Sequence, residues 1–212
     1  MKGKIIILNS PPDTGKTTIA EVYSQCVGST HREFKSYLYK CTATLFNIDL
    51  DIFINMATDR VSKEAPDDRL YINVDSCRML KGYMRDDFDW NRESEIGTYL
   101  SPREALIFTS ELVIKPMFGC EYFGDKAAEG VDIDNGTIFS DGGFNEELIP
   151  VVETWGSDCV YVIQFTRGDK VDFTGDSRGW LSPPKGVKLL RTTNDHTIDD
   201  MVDKIIEFVG YN

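Results

Sequence analysis

The chain has 212 residues, of which 41% are hydrophobic and 11% aromatic, and its formal net charge is −12. This length is enough for one sizeable core, and the apolar content is typical of a globular protein rather than a disordered one. The acidic balance argues against broad adhesion to DNA, RNA or an anionic membrane. Oligomeric state is left open by the sequence, a homodimer included.

The five cysteines are widely spaced and include no C-x-x-C pair, which indicates reduced thiols in a cytosolic protein. No apolar stretch approaches the roughly 20 residues needed to cross a bilayer. The first residues lead directly into a short strand, so we expect no signal peptide. These features predict a cytoplasmic location without membrane association.

The first element is an apolar run over residues 4–8, followed by the segment SPPDTGKTT at residues 10–18. It predicts a buried strand over about 4–9, a tight loop, and a helix over about 16–27. The loop fits the pattern G-x-x-x-x-G-K-[ST], in which backbone N–H groups and a helix N-terminus bind phosphates. Ser10 stands at the first glycine, which the loop tolerates if no positive φ is needed there.

Helical spacing follows over about 32–46, 49–59 and 73–84, with a polar loop over 60–69. Residues 86–95 are polar and acidic, which is typical of a mobile connection. The segment Ser-Pro-Arg-Glu at 101–104 then predicts a capped helix that continues to about 117.

The second half predicts a short helix over 124–130, a buried strand over 136–141, and a helix over 145–155. A strand over 159–166, an aperiodic segment over 168–184, a strand over 186–191 and a helix over 198–209 complete the chain. Strands alternating with helices predict a parallel sheet covered on both faces. Lys16, Asp141 and Arg167 would then share the sheet edge where ligands bind.

Phosphoryl transfer requires a phosphate cradle, Mg²⁺ and cations around the transferring group. We expect the backbone of residues 13–17 to form the cradle, Lys16 to bridge phosphates, and Thr17 and Asp141 to hold Mg²⁺. Asp141 is also compatible with a plain turn aspartate. Arg167 and Arg178 flank an aperiodic segment, which suits a lid that closes over phosphates, although both could be solvated surface arginines.

Further basic residues could bind the phosphate of an acceptor. Arg103 is the strongest of these, because the N-terminus of its predicted helix itself favours an anion. Lys35 and Lys115 are the other predicted substrate-binding residues, and each also suits a solvated helix face.

The order of these motifs resembles the nucleoside monophosphate kinase superfamily, most closely the phage-type deoxynucleoside monophosphate kinases. The similarity is carried by the phosphate loop, by SPREAL at 101–106, and by the strand-Ser-Asp segment at 138–145. Residues 162–168 resemble the family's approach to its lid, and 193–195 resemble its x-N-D loop. Gly143 stands where the family commonly has Arg.

The resemblance implies a single P-loop NTPase domain of three-layer α/β/α type with a central parallel sheet. Its core would be residues 1–30 and 131–212, with a helical acceptor-binding insertion over about 31–130 and a lid over about 168–185. ATP phosphates would contact Ser10, Asp13, Thr14, Gly15, Lys16, Thr17 and Thr18. Thr193 and Asn194 would contact the donor base, Arg103 the acceptor, and Arg167 and Arg178 the phosphates from the lid.

The implied activity is ATP- and Mg²⁺-dependent phosphoryl transfer to a (deoxy)nucleoside monophosphate, giving the diphosphate. The partner would be a small-molecule nucleotide, and the location would be the host cytoplasm if the chain is phage-encoded. Two alternatives stay open at this point. One is a kinase acting on another small acceptor or on a polynucleotide 5′ end, which the acidic composition disfavours. The other is a non-catalytic module that binds nucleotide as a sensor.

Overall fold

Residues 3–83, 96–174 and 176–210 are described by the computed structural model. The predicted mobile connection over 86–95 lies outside the described residues. The chain divides into two units by its internal contacts. The first comprises Met1–Lys35 and Glu121–Asn212, and the second comprises Ser36–Cys120.

The elements follow one another in a regular order. The strands are β1 (Ile5–Asn9), β2 (Thr30–Arg32), β3 (Tyr71–Ile72), β4 (Thr98–Tyr99), β5 (Thr137–Phe139), β6 (Val160–Thr166) and β7 (Lys188–Thr193). The α-helices are α1 (Lys16–Val27), α2 (Lys35–Leu45), α3 (Leu50–Thr58), α4 (Val74–Tyr83), α5 (Pro102–Ile107), α6 (Lys115–Phe118), α7 (Tyr122–Glu129), α8 (Asn145–Trp155) and α9 (Ile198–Val209). Short 3₁₀ turns lie at Ser62–Glu64 and Ser157–Cys159, and a π-helical stretch, Phe108–Ile114, joins α5 to α6.

A five-stranded sheet forms the centre of the first unit, in the order β2-β5-β1-β6-β7. Every pairing in this sheet is parallel, as the sequence predicted. Ile7 of β1 is in register with Phe139 of β5 on one side and Val162 of β6 on the other. The carboxyl ends of these three strands therefore meet at one edge of the sheet.

The two faces of the sheet are covered by different helices. Ile6 and Leu8 pack with apolar residues of α1 and α9, whereas Ile5 and Ile7 pack with those of α7 and α8. Strands buried on both faces need apolar side chains at every position, which explains the continuous run of isoleucine and leucine in β1. The result is the three-layer α/β/α fold with a phosphate loop that the sequence predicted.

The second unit is mainly helical and has a core of its own, built around buried residues such as Phe53, Leu70, Leu80 and Leu100. Its strands β3 and β4 form a small antiparallel pair. The predicted helix start at Ser101 is confirmed, because the Ser101 side chain accepts the Glu104 N–H and the Glu104 side chain accepts the Ser101 N–H. None of the helices in the described part of the chain is long and apolar enough to span a membrane.

Some predicted bounds are wrong. The helix predicted over 32–46 begins at Lys35, because Thr30–Arg32 pairs with β5 and forms the edge strand β2. β3 and β4 were also missed, being only two residues long each. The helix predicted from 101 to about 117 is present, but its middle widens into the π-helical stretch.

Candidate functional site

The loop between β1 and α1 has the backbone that a phosphate cradle needs. Gly15 has a φ of 94° and Asp13 a φ of 61°, both in the left-handed region. Asn47 is the other non-glycine residue with positive φ in the described part of the chain, so Ser10 meets the condition for replacing glycine. Gly15 precedes α1 without a side-chain cap, which leaves the N–H groups of the first turn available to an anion.

Two buried hydroxyls shape the inside of this loop. The Ser10 hydroxyl lies 2.5 Å from the Phe165 carbonyl oxygen and 2.7 Å from the Thr14 hydroxyl. Thr14 in turn donates to the Pro11 carbonyl at 2.9 Å. Ser10 therefore fastens the loop to the end of β6, a contact that glycine could not make. Asp13, Thr17 and Thr18, the other predicted ATP-binding side chains, are exposed.

The side chain of Lys16 bends back over the loop. Its Nζ donates to the carbonyl oxygens of Ser10 at 2.5 Å and Pro11 at 2.6 Å, and the residue is 8% exposed. Burial, and after it the positive charge of Arg178, lowers the pKa of Lys16 from 10.5 to about 8. The ammonium thus lies inside the loop, held by neutral carbonyl groups.

Arg167 and Asn194 lie on the other side of Gly15. A Cβ atom at Gly15 would lie 3.5 Å from Arg167 Nη1 and 3.5 Å from Asn194 Nδ2. Asn194 is buried and donates through Nδ2 to the Thr14 carbonyl at 2.9 Å, while its Oδ1 has no hydrogen-bond partner among the described residues. These contacts bring two predicted site residues, from the ends of β6 and β7, against the phosphate loop.

The turns after β6 and β7 are also tied to each other. Asp195 accepts the Gly168 N–H at 3.0 Å, and this bond is the main cause of the lowered pKa of Asp195. Thr193 ends β7 as an exposed residue. The bond from Gly168 fixes the backbone next to Arg167, whose side chain is exposed.

Asp141 follows β5 and binds the start of α2. Its Oδ1 accepts the Phe34 N–H at 2.8 Å and its Oδ2 accepts the Lys35 N–H at 3.2 Å. Burial raises the pKa of Asp141, and the charge of Lys35, which also pairs with Glu33 at 3.2 Å, opposes that rise. Asp141 also acts electrostatically on Lys16, so these charges share one edge of the sheet.

Arg178 is a partly buried arginine paired with Asp176. Its Nε donates to Asp176 Oδ1 at 2.9 Å and its Nη2 donates to Oδ2 at 2.7 Å. The hydrogen-bonded carboxylate is the main cause of the raised pKa of Arg178. The carbonyl of the next residue, Gly179, accepts Asn9 Nδ2 at 2.9 Å beside the start of the phosphate loop, and the charges of Arg178 and Asp176 both act on Lys16.

Part of the predicted lid is held on the sheet by Asn9, the last residue of β1. Asn9 Nδ2 donates to the carbonyls of Gly142 at 3.0 Å and Gly179 at 2.9 Å. Its Oδ1 accepts the Leu181 N–H at 2.9 Å and Gln164 Nε2 at 3.0 Å. Leu181 belongs to the buried core, so residues 179–181 are anchored although they fall within the predicted lid range.

The two substrate residues predicted in the second unit form ion pairs within that unit. Arg103 Nη1 lies 2.9 Å from Glu64 Oε1, and Lys115 Nζ lies 2.9 Å from Glu111 Oε1. Arg103 is on the first turn of α5, as expected, and Lys115 begins α6. Their role in binding an acceptor stays a prediction.

Three residues that organise the site were missed from the sequence, Asn9, Gln164 and Asp176, and Asp195 was recognised only as part of the x-N-D loop, without a role of its own. Asn9 and Gln164 carried a usable signal, since each is a polar residue in an otherwise apolar strand. A buried amide in such a strand must find hydrogen-bond partners, and these partners lie in loops at the strand ends. Asp176 precedes Arg178 by two residues, a spacing that suits a local ion pair.

Among known proteins, the chain has a distant likeness to a solved structure. No protein-family model matches the chain, and no curated protein matches it. One solved structure that it resembles is described as a "putative kinase" from Chloroflexus aurantiacus, with 13% sequence identity and a TM-score of 0.40. The match covers 97% of this chain and 94% of that one. A likeness of this degree does not bear on activity, so function has to be argued from the site.

Proposed function

We propose that the protein catalyses ATP- and Mg²⁺-dependent phosphoryl transfer to a nucleoside or deoxynucleoside monophosphate, giving the diphosphate. The observation that carries the proposal is the grouping of Lys16, Arg167 and Arg178 around an uncapped helix N-terminus at one sheet edge. Such a grouping suits a reaction whose catalysis consists mainly of positioning and charge neutralisation.

The loop would bind the phosphates of ATP through the N–H groups around Gly15 and at the start of α1. Lys16 would exchange the two loop carbonyls for phosphate oxygens, because an anionic oxygen is a stronger partner for ammonium than a neutral carbonyl. Arg167 would neutralise charge beside Gly15. An acceptor phosphate is already an oxyanion, so the reaction needs no strong general base.

The residues present fit a magnesium ion held together with phosphate oxygens. The Thr17 hydroxyl is exposed on the first turn of α1, and each Asp141 oxygen accepts one N–H and keeps further lone-pair capacity. Thr17 and Asp141 would hold the ion, directly or through its water shell, as Mg²⁺ usually keeps several waters. When bound, Mg²⁺ would neutralise charge on the phosphate oxygens. No cluster of three or more acidic, His or Cys ligands occurs among the described residues.

We assign binding of the acceptor to Lys35, Arg103 and Lys115, the basic residues predicted from the sequence to bind substrate. Support comes from Arg103, whose side chain is 44% exposed on the first turn of α5. Thr193 and Asn194 are assigned to the donor base, and the unpartnered Oδ1 of Asn194 would accept a hydrogen bond from a ligand.

The test is a coupled assay of ATP consumption with a panel of ribo- and deoxyribonucleoside monophosphates, in the presence and absence of Mg²⁺. We expect turnover with at least one monophosphate, dependence on Mg²⁺, and a loss of at least about 1,000-fold in Lys16→Met. Tight ATP binding without turnover on any acceptor would instead identify a nucleotide-binding module. Turnover limited to other small acceptors or to polynucleotide ends would refute the assignment to monophosphates.

A further inference from the structure

Arg178 is fixed by a carboxylate that binds two parts of the same residue. Asp176 Oδ1 accepts both the backbone N–H of Arg178 and its Nε–H, each at 2.9 Å. Asp176 Oδ2 accepts Nη2 at 2.7 Å. The two side chains are 12% and 25% exposed, so water competes only weakly for these bonds. The path of the arginine from its backbone to its guanidinium is therefore set by one neighbour.

The aliphatic part of Arg178 lies directly on Gly143. A Cβ atom at Gly143 would lie 2.6 Å from Arg178 Cβ and Cγ and 2.7 Å from Cδ, which is closer than carbon atoms can approach. The Gly179 N–H also donates to the Gly143 carbonyl at 3.0 Å, so the two backbone segments cannot easily separate. Any side chain at position 143 would displace the arginine.

The guanidinium keeps an edge that a phosphate could use. Within the described residues, the side chain of Arg178 makes its hydrogen bonds through Nε and Nη2. A guanidinium has five N–H donors in a flat fork, so it can bind a carboxylate on one edge and a phosphate on another at the same time. Asn9, directly before the loop, donates to the carbonyl of Gly179, directly after Arg178, at 2.9 Å, which places Arg178 near the loop, where its charge acts on both Lys16 and Asp141.

We propose that Asp176 and Gly143 are positioning residues, which hold Arg178 at the phosphate loop with its outer edge ready for the transferring phosphoryl group. The inference rests on the proposed function and deepens it. Asp176 would touch no substrate and would act through Arg178. The opposite interpretation is a latch, in which the carboxylate competes with phosphate for the arginine and must release it.

The test compares kcat and KM for ATP in Asp176→Asn, Arg178→Ala and the double variant, with saturating acceptor. Asparagine keeps the size of the side chain and one oxygen that can accept the backbone N–H of Arg178. It removes the negative charge that pairs with the guanidinium. We expect Asp176→Asn to lower kcat about 10- to 100-fold with little change in KM, since misplacement of a catalytic group acts on the transition state. Arg178→Ala should lower kcat about 1,000-fold, and the double variant should be no slower than Arg178→Ala.

Two further variants complete the design. Gly143→Ala disturbs the same arginine from the opposite side, and it should lower kcat without adding to the loss in Arg178→Ala. It also carries the test if Asp176→Asn does not fold, as judged by thermal melting. Asp172→Asn is the matched control, because Asp172 accepts the Thr174 N–H and is not among the partners of Arg178. We expect its kcat to equal that of the wild type.

The outcomes separate the interpretations. Wild-type or higher kcat in Asp176→Asn would overturn the positioning role, and a higher value would support the latch. A further loss in the double variant relative to Arg178→Ala would show that Asp176 acts independently of the arginine. If the wild-type protein turns over ATP with no monophosphate, the proposed function itself fails, whatever the variants do.

Discussion

The pKa of Lys16 leads to a prediction about stability. The unfolded chain holds its proton on this lysine up to about pH 10.5, whereas the folded protein releases it near pH 8. Between these values the unfolded state binds more protons, so the free energy of unfolding rises with pH. The gap corresponds to about 3 kcal/mol, at about 1.4 kcal/mol for each pH unit. Folding is thus opposed by the buried charge below pH 8, and this penalty is lost as the pH rises toward 10.5.

Lys16→Met removes the charge and keeps a side chain of similar length. We expect the free energy of unfolding of the wild type, measured relative to this variant, to increase by about 3 kcal/mol between pH 7 and pH 10.5. Urea denaturation at a series of pH values, without nucleotide and with EDTA, measures the difference. Lys185→Met, at an exposed lysine of the same unit, is the control and should follow the pH dependence of the wild type.

A difference between wild type and Lys16→Met that stays constant within about 1 kcal/mol over this range would refute the reasoning. It would mean that the ammonium reaches water in the free protein instead of lying against the carbonyls of Ser10 and Pro11. A second measurement bears on the same point. Because ATP should restore the charge on Lys16, binding at pH 8.5 should take up protons, which calorimetry detects by comparing buffers of different ionisation enthalpy.

Three other substitutions test the structure around the loop. Asn9→Ala leaves buried donors and acceptors unpaired, so it should lower the free energy of unfolding, measured by urea denaturation, by about 2–4 kcal/mol. A loss below about 1 kcal/mol would contradict the hydrogen bonds assigned to Asn9. Gly15→Ala strains a backbone with a φ of 94° by about 1–2 kcal/mol. It should weaken ATP binding, measured by calorimetry, at least about 10-fold. Unchanged affinity would argue against this loop as the phosphate cradle. Ser10→Gly restores the sequence pattern of the phosphate loop but loses the hydrogen bond to the Phe165 carbonyl. It should therefore destabilise the protein by about 1 kcal/mol without increasing the affinity for ATP. A higher affinity for ATP would show that the serine weakens the site.

The parts of the fold that local sequence determines could be predicted. The bounds of α1, α8 and α9 follow from their apolar spacing, and glycine follows each of them at positions 28, 156 and 210. β2 could not be predicted, because Thr-His-Arg has no strand pattern and becomes a strand only through pairing with β5, a hundred residues away in sequence. Nonlocal pairing overrides a weak local preference in such short edge strands.

In the candidate site, too, the features set by local sequence could be predicted, and those set by nonlocal contacts could not. Gly15 and Lys16 are local features of one loop and are visible in the sequence pattern. The approach of Arg167 to Gly15 depends on the order of strands in the sheet, which places the end of β6 beside the end of β1. The contact between Arg178 and Gly143 depends on the path of an aperiodic segment, for which sequence periodicity gives no information.

Lys16, which is buried, and Arg178, which is partly buried, differ in the groups that hold them, and this difference assigns them different roles in the proposed reaction. Lys16 is held by two neutral carbonyls, which a phosphate oxygen outcompetes, so the lysine should move when nucleotide binds. Arg178 is held by the anionic carboxylate of Asp176 through two parallel hydrogen bonds. To move the arginine, a phosphate would have to replace a carboxylate that is also negatively charged and therefore also a strong acceptor. The arginine should therefore stay where it is, so its position must already be correct in the free protein. Since a group that does not move requires no reorganisation during the reaction, the contribution of Arg178 should fall on kcat, whereas Lys16, which moves, should affect nucleotide affinity and its pH dependence as well as turnover.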